Sequence, residues 1–240
     1  MRHDGRAQDE LRPLDLLPGF VRTADGSVLF SIGQTRVICT ASVDSETPRW
    51  LRGSGRGWVS AEYGMLPAST GERKQRDSSR GRPDGRSIEI QRLIGRSLRA
   101  VVDLQALGER TVWVDCDVLQ ADGGTRCASV CGGYVALHRA LSGLVDTGVL
   151  PELPLTAGVA AISCGIVEGE PVLDLDYKED STAEVDLNVV MTSGGRLVEL
   201  QGTAEGQPFD RAQLDRLLEL GAAGMQRIEA EQLKAVAAPR

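Results

Sequence analysis

Aromatic side chains are scarce in this sequence: three Trp, three Tyr and three Phe among 240 residues. With 41% hydrophobic residues, the core must therefore rest on Val, Leu, Ile and Ala. Histidine is rarer still. His3 and His138 lie far from any plausible ligand set, which argues against a zinc site. The five cysteines (39, 116, 127, 131 and 164) are odd in number and form no C-x-x-C pair, so they read as small buried hydrophobes rather than a disulfide framework. No apolar run reaches the ~18–20 residues that span a bilayer. The longest, LTAGVAAISCGIV, is broken by Gly, Ser and Thr and reads as a buried strand. The first residues, MRHDGRAQDELR, are charged and hold no hydrophobic signal segment. These absences lead to the expectation of a cytoplasmic protein with no membrane contact.

The net charge of −7 argues against a generic nucleic-acid coat, but its distribution is uneven. Residues 71–99 hold nine basic groups against four acids. Residues 174–186 hold six acids (Asp174, Asp176, Glu179, Asp180, Glu184, Asp186) against Lys178 alone. A basic arm and an acidic knot in one chain suggest a polyanion held at one place and a cation at another.

Several stretches rich in Val, Ile and Thr read as strands. They are FVRTA and SVLFSI joined at Asp25-Gly26, TRVICTASV after a turn at Gly33-Gln34, WVSAEYGML at 58–66, and residues 111–120. Further strands are expected at 155–167, 171–177, 184–192 and 196–204, with turns at Gly169 and at 193–195. Ile90, Leu93, Ile94, Leu98, Val101 and Val102 recur at helical spacing and predict an amphipathic helix over 87–104. A second helix, 126–146, has one bulky face and one small one (Gly132, Gly133, Ala136, Ala140, Gly143), so it should pack on both sides. A third starts near Asp210, whose spacing to Gln213 fits a capping box, and runs to about 233. The stretch 67–86, rich in Gly, Ser, Pro and Arg, reads as a mobile basic loop. The element order predicts one mixed α/β (α+β) domain over 1–240, with mixed sheets and packed helices in a β-α-β-α core, not a Rossmann alternation.

The strand 111–120 runs into Ala121-Asp122-Gly123-Gly124-Thr125-Arg126 at the mouth of the second helix. Free backbone N–H groups and the helix dipole make such a mouth an anion site. Gly123 and Gly124 permit close backbone approach, Thr125 and Ser129 supply hydroxyls, and Arg126 adds a fork suited to phosphate. The bland alternative is a glycine loop capped by Thr125; no Walker A pattern is present. In the strand 184–192, Asp186 lies on the polar face, with Asp180 in the adjoining turn. This pair suits Mg²⁺, which takes one or two carboxylates plus waters and substrate phosphates. An acidic solvent-facing loop is the commoner meaning of such a cluster. His138 reads as a core histidine, and the Arg92/Arg96/Arg99 stripe as a solvated or subunit-facing surface paired to acids such as Glu89 and Asp103.

The stretches GSVLFSIGQTRVICTASV, GWVSAEYGMLP, GRSIEIQRLIGRSLRAVVDLQALGERT, VDCDVLQADGGTR and LDLDYKEDSTAEVDLNVVMT span most of the chain. Together and in this order they resemble the bacterial RNase PH family, with polynucleotide phosphorylase and exosome core subunits as more distant relatives. The resemblance implies a single RNase PH-type domain and a phosphorolytic 3′→5′ exoribonuclease. Such an enzyme trims tRNA precursor 3′ ends with inorganic phosphate as co-substrate, releases nucleoside diphosphates, uses Mg²⁺ and forms a homohexamer, a trimer of dimers. It further implies that Arg86 and Gly124-Thr125-Arg126 bind the attacking phosphate. Asp180 and Asp186 would carry metal binding or proton transfer, and Arg73 and Arg76 would hold RNA. Ala68 stands where relatives often carry Arg, and Cys127 where Thr is common. A non-catalytic RNA-binding ring subunit of exosome type should lack one of these residue sets. A small-molecule kinase or phosphorylase would leave the basic 71–86 stretch without a purpose.

Overall fold

A computed structural model describes residues 2–76, 79, 81–82 and 84–239. Asp77, Ser78, Arg80 and Pro83, within the arm expected over 67–86, lie outside the described residues. The first sheet has the order β1-β2-β3-β5-β4. Its strands are β1 (Leu14–Pro18), β2 (Gly26–Ile32), β3 (Thr35–Asp44), β4 (Trp58–Met65) and β5 (Thr111–Gln120). Neighbours are antiparallel except β4, which runs parallel to β5. A parallel pair needs a long crossover, and this one carries α1 (Gly85–Arg99) and the short α2 (Leu104–Leu107). The second sheet is antiparallel, in the order β7-β6-β8-β9. It comprises β6 (Val159–Val167), β7 (Glu170–Leu173), β8 (Val185–Thr192) and β9 (Leu197–Ala204). Among the described residues three further α-helices follow: α3 (Thr125–Asp146), α4 (Tyr177–Asp180) and α5 (Arg211–Ala237). The mixed α/β class matches the expectation.

The helix α3 touches β2, β3 and β5 of the first sheet and β6 of the second, so it lies between them. Its two-sided composition explains this position. A side chain at Gly132 would strike Cys39 and Phe30, and one at Gly133 would press on Val114. Gly26 is equally constrained, because a Cβ there would run into the backbone of α3 at Ala136. Most of the buried side chains form one large cluster that includes both sheets, α1, α3 and α5, with a small second one of Val172, Leu175 and Ala183. All five cysteines are buried and free, as their composition suggested.

Three expected elements are corrected. The first strand is LDLLP (14–18), not FVRTA; residues 19–25 form the turns that follow Pro18-Gly19, where Gly19 has a φ of +71°. Asp25-Gly26 is therefore no hairpin turn: Asp25 accepts from the Val43 N–H and Gly26 is the first residue of β2. The helix predicted over 87–104 ends at Arg99, because Val101 and Val102 leave it to meet residues 155–156. The strand predicted over 171–177 stops at Leu173. Asp174 then takes a left-handed φ of 54°, and Asp176 with Glu179 forms a capping box for α4.

Candidate active site at the mouth of α3

The loop that ends β5 is fixed before it reaches the helix. The Thr35 hydroxyl accepts from the Asp122 N–H at 2.9 Å and donates to the Gly123 carbonyl at 2.7 Å. The Ala121 N–H donates to the Ser69 carbonyl, tying the loop to the start of the 67–86 stretch. Gly123 and Gly124 have φ of +73° and +66°. A Cβ on Gly123 would lie 2.7 Å from the Leu175 carbonyl oxygen, so only glycine lets this loop press against the segment entering α4. Gly124 is the N-cap and has no side chain to cover the first-turn N–H groups of α3. That leaves a helix mouth with open donors and the positive end of the dipole behind them.

Two arginines flank this mouth. Arg126, in the first turn, donates to the Gln201 amide oxygen at 2.8 Å and lies 3.5 Å from Glu89. Gln201 bridges on to Glu89 and Glu199, and Glu199 grips Arg96 at 2.5 and 2.8 Å. The arginine stripe of α1 is thus only partly paired as expected. Arg96 faces Glu199, Arg99 donates to the Val59 carbonyl and lies 4.4 Å over the Trp58 ring, and Asp103 caps α2. Arg86, the second residue of α1, is exposed and makes no hydrogen bond or ion pair among the described residues. Its charge is felt at Asp180, Asp186 and the Tyr63 phenol.

The two carboxylates come from α4 and β8. Burial pushes the Asp186 carboxyl up to about 6, with further upward pressure from Asp180; Arg126 and Arg86 oppose both. Asp180 is also raised, by burial first, and is pulled back by Arg86 and Arg126. Asn188 donates to Asp186 at 3.3 Å, and the Cys127 thiol in the first turn of α3 donates to Asn188 at 3.3 Å. The fold therefore gathers Arg86, Gly124, Thr125, Arg126, Asp180 and Asp186, spread over 100 positions of sequence, around one helix mouth.

The remaining sequence-predicted residues stand apart from this group. Ser129 is fully buried one turn into α3 and donates to the Thr125 carbonyl at 2.8 Å. The side chains of Arg73 and Arg76 are exposed and take part in no hydrogen bond or ion pair among the described residues, although the Arg76 carbonyl accepts from the Ser79 N–H. His138 is half-buried against Tyr134 and 3.2 Å from Ser142, away from the mouth.

Sequence reasoning missed the N-terminal arginines. Arg2, Arg6 and Arg12 reach across to the acidic knot and occupy Asp174, Asp176 and Glu179. Three cations in the first twelve residues and three surplus acids at 174–179 were a readable signal. His3, Asp176 and Glu179 are the one group of three among the described residues with metal-ligand spacing. Arg2 and Arg6 already occupy Glu179, and His3 bonds Asp176 at 2.6 Å, so this group is an ionic lock. A cavity of about 640 Å³ opens beside this lock and is not lined by the residues of the helix mouth.

Comparison with known proteins identifies the family of the chain. Residues 10–141 match the 3′ exoribonuclease family, domain 1, and residues 158–224 match the 3′ exoribonuclease family, domain 2. A ribonuclease PH of Syntrophomonas wolfei subsp. wolfei is 54% identical over 231 residues, covering 96% of this chain and 97% of that protein. In fold, the chain is similar to Rrp46 of rice (Oryza sativa), with a TM-score of 0.79 at 20% identity, over 98% of this chain and 100% of that one. It is likewise similar to a chain of the Archaeoglobus fulgidus exosome, solved with RNA bound to the active site, with a TM-score of 0.80 at 24% identity, over 96% and 92%. Among the described residues no helix is long and apolar enough to cross a membrane. With both of its parts matched and a near-full-length relative at this identity, the chain belongs to the 3′ exoribonuclease family.

Proposed function

We propose that the chain is a phosphorolytic 3′→5′ exoribonuclease that shortens RNA with inorganic phosphate. The observation that carries this reading is the pairing of two arginines with two carboxylates at an uncapped helix mouth. In the reaction, a phosphate oxygen forms a bond to the phosphorus of the last 3′,5′-phosphodiester. The bond from that phosphorus to the 3′ oxygen of the preceding ribose breaks. The terminal nucleotide leaves as a nucleoside 5′-diphosphate, and the shortened RNA regains a 3′ hydroxyl proton. Such a transfer needs positioning and charge stabilisation more than a covalent nucleophile.

Each part of the site has a role in this reading. Arg86, unpaired among the described residues, and Arg126 grip the attacking phosphate, whose oxygens face the Gly124, Thr125 and Arg126 end of α3. With no ion bound, burial pushes the Asp186 carboxyl up to about 6, which suits proton transfer to the 3′ oxygen near neutral pH; a bound cation would take over that carboxylate instead. Asp180 and Asp186 would hold Mg²⁺, and two adjacent carboxylates with raised pKa are a donor set that fits it. When bound, the ion supplies charge neutralisation to the phosphates. Arg73 and Arg76, exposed on the stretch that Ser69 ties to the site loop, hold the RNA backbone.

The preferred RNA in this reading is the 3′ end of tRNA precursors, and the working form is a homohexamer, a trimer of dimers. The exposed apolar residues Leu197 and Leu200 on the edge strand β9, near α1 through the Arg96–Glu199 pair, give a second copy a surface to cover. A non-catalytic ring subunit would not need both arginines and both aspartates. The test is to incubate the protein with a 3′-tailed RNA, Mg²⁺ and phosphate. Nucleoside diphosphates must appear, and only when phosphate is present. Nucleoside monophosphates, or no shortening at all, would overturn the reading.

A further inference from the structure

The Tyr63 phenol and the Thr125 hydroxyl lie 2.9 Å apart. Both residues are buried, at 4% and 6% exposure. Neither oxygen has another hydrogen-bond partner among the described residues. Two hydroxyls bring two protons to this pair, and their single mutual bond uses one of them. The other proton is left beside the helix mouth without an acceptor from the described residues. A buried donor without an acceptor is costly, so the site is built for an acceptor that arrives from outside.

Which proton is left over follows from chemistry. A phenol is the stronger acid and the better donor, and an aliphatic hydroxyl both donates and accepts. Burial holds the Tyr63 phenol above its ordinary value despite the opposing charges of Arg86 and Arg126, so it keeps its proton throughout the working range. With Tyr63 donating to Thr125, the Thr125 proton is the free one. Thr125 is the first residue of α3, and Arg86 and Arg126 surround the pair with positive charge. The missing acceptor is therefore anionic.

We infer that Tyr63 is a positioning residue of the phosphate site: by donating to Thr125 it commits the Thr125 hydroxyl to donate to an oxyanion. The inference rests on the proposed function for the identity of that oxyanion as the attacking phosphate. It adds a selectivity: a hydroxyl fixed as a donor faces an oxygen that carries no proton. Without Tyr63, the Thr125 hydroxyl rotates freely and accepts as readily as it donates.

The test is a set of four variants: Tyr63→Phe, Thr125→Val, the double variant, and Tyr63→Phe in a Thr125→Ser background. Phosphate KM and kcat are measured at saturating RNA, with direct calorimetric titration of inorganic phosphate beside them. Tyr63→Phe should weaken phosphate by about three- to tenfold, as expected for one lost hydrogen bond. The loss should fall on KM and on the titrated affinity, not on RNA binding. In the Thr125→Val background Tyr63→Phe should cost nothing more, because the bond it supports is already gone. In the Thr125→Ser background, which keeps the hydroxyl, it should cost as much as in the parent. Unchanged phosphate affinity in Tyr63→Phe overturns the inference, as does an equal loss in the Thr125→Val background or a parallel loss of RNA binding. Titration separates this from the reaction itself: if phosphate binds but no diphosphate forms, the proposed function fails and the Tyr63 comparison is still decided by affinity.

Discussion

Arg12 grips Asp174 across 162 positions of sequence. Its Nη2 lies 2.6 Å from Oδ1, and its Nε and backbone N–H both donate to Oδ2, at 3.0 and 2.8 Å. Both side chains are almost wholly buried. The same guanidinium also donates to the Asp122 carbonyl, one residue before the glycine pair of the site loop. One arginine thus joins the N-terminal segment, the segment entering α4 and the loop that opens α3. Removing one member of a buried pair leaves the other charge desolvated and alone, a loss of about 3–5 kcal/mol. Asp174→Asn and Arg12→Met should each lower the unfolding free energy by that amount, read from the shift of the urea midpoint multiplied by the m-value. The double variant should lose clearly less than the sum. Strict additivity would show that the pair is not coupled.

Arg126→Ala should slow phosphorolysis by about 10²–10³-fold, the cost of one oxyanion contact in a preorganised site, roughly 2.7–4 kcal/mol. Asp186→Asn should stop turnover while the assembly keeps its mass by light scattering. RNA binding, measured by fluorescence anisotropy, should survive in both. Near-normal rates at limiting phosphate in Arg126→Ala would remove that residue from the site.

Replacing Arg73 and Arg76 together with Ala should weaken precursor-tRNA binding and flatten its salt dependence. Each phosphate neutralised on a single strand contributes about 0.7 of a log unit to the slope, so the pair should remove somewhat more than one. Cleavage of a very short oligonucleotide should barely change. Equal losses on both substrates across a salt series would mean that the arm shapes the chemistry itself.

On the outer face of the first sheet, Glu62 stands beside Asp115 in register, with Asp117 two residues further along β5. Burial, then Glu62 and Asp117, push the Asp115 carboxyl up. A carboxyl raised in the folded state opposes folding once it is ionised. The penalty is full above its folded pKa and vanishes as pH falls below the unfolded value of 3.8. Asp115→Asn should therefore raise Tm at pH 7 by a few degrees at most. The gain should shrink steadily on acidification toward pH 4. A gain independent of pH would point to a cause other than charge.

The sequence was most legible where periodicity and caps act locally. Residues 111–120, the bulky and small faces of 126–146, and the Asp210–Gln213 cap all describe the elements that form. It was misleading where a contact between distant segments decides. Val101 and Val102 keep helical spacing yet leave α1 to meet Leu155. LDLLP is an edge strand whose residues alternate only between half-buried and exposed, and FVRTA, richer in β-formers, is turn. The Asp176–Glu179 cap obeys the same rule as Asp210–Gln213 and was readable, but it was masked by the strand-like LDLDY. In the site, glycines, Arg126 and the two aspartates announce themselves by residue type. Arg12 and Tyr63 act through partners 162 and 62 positions away, and no local pattern reports such a pairing.

The N-terminal lock also sets an order of events during synthesis. Arg2, Arg6 and Arg12 leave the ribosome more than 160 residues before their partners at 173–179. Until then three arginines wait without their acids, and the Asp122–Gly124 loop lacks the clamp and the backbone wall that shape it. A first-sheet intermediate can fold as a unit, but it does so with an unfinished phosphate site. The site is complete only once β6, β7, α4 and the start of β8, which carries Asp186, have been added to the first sheet.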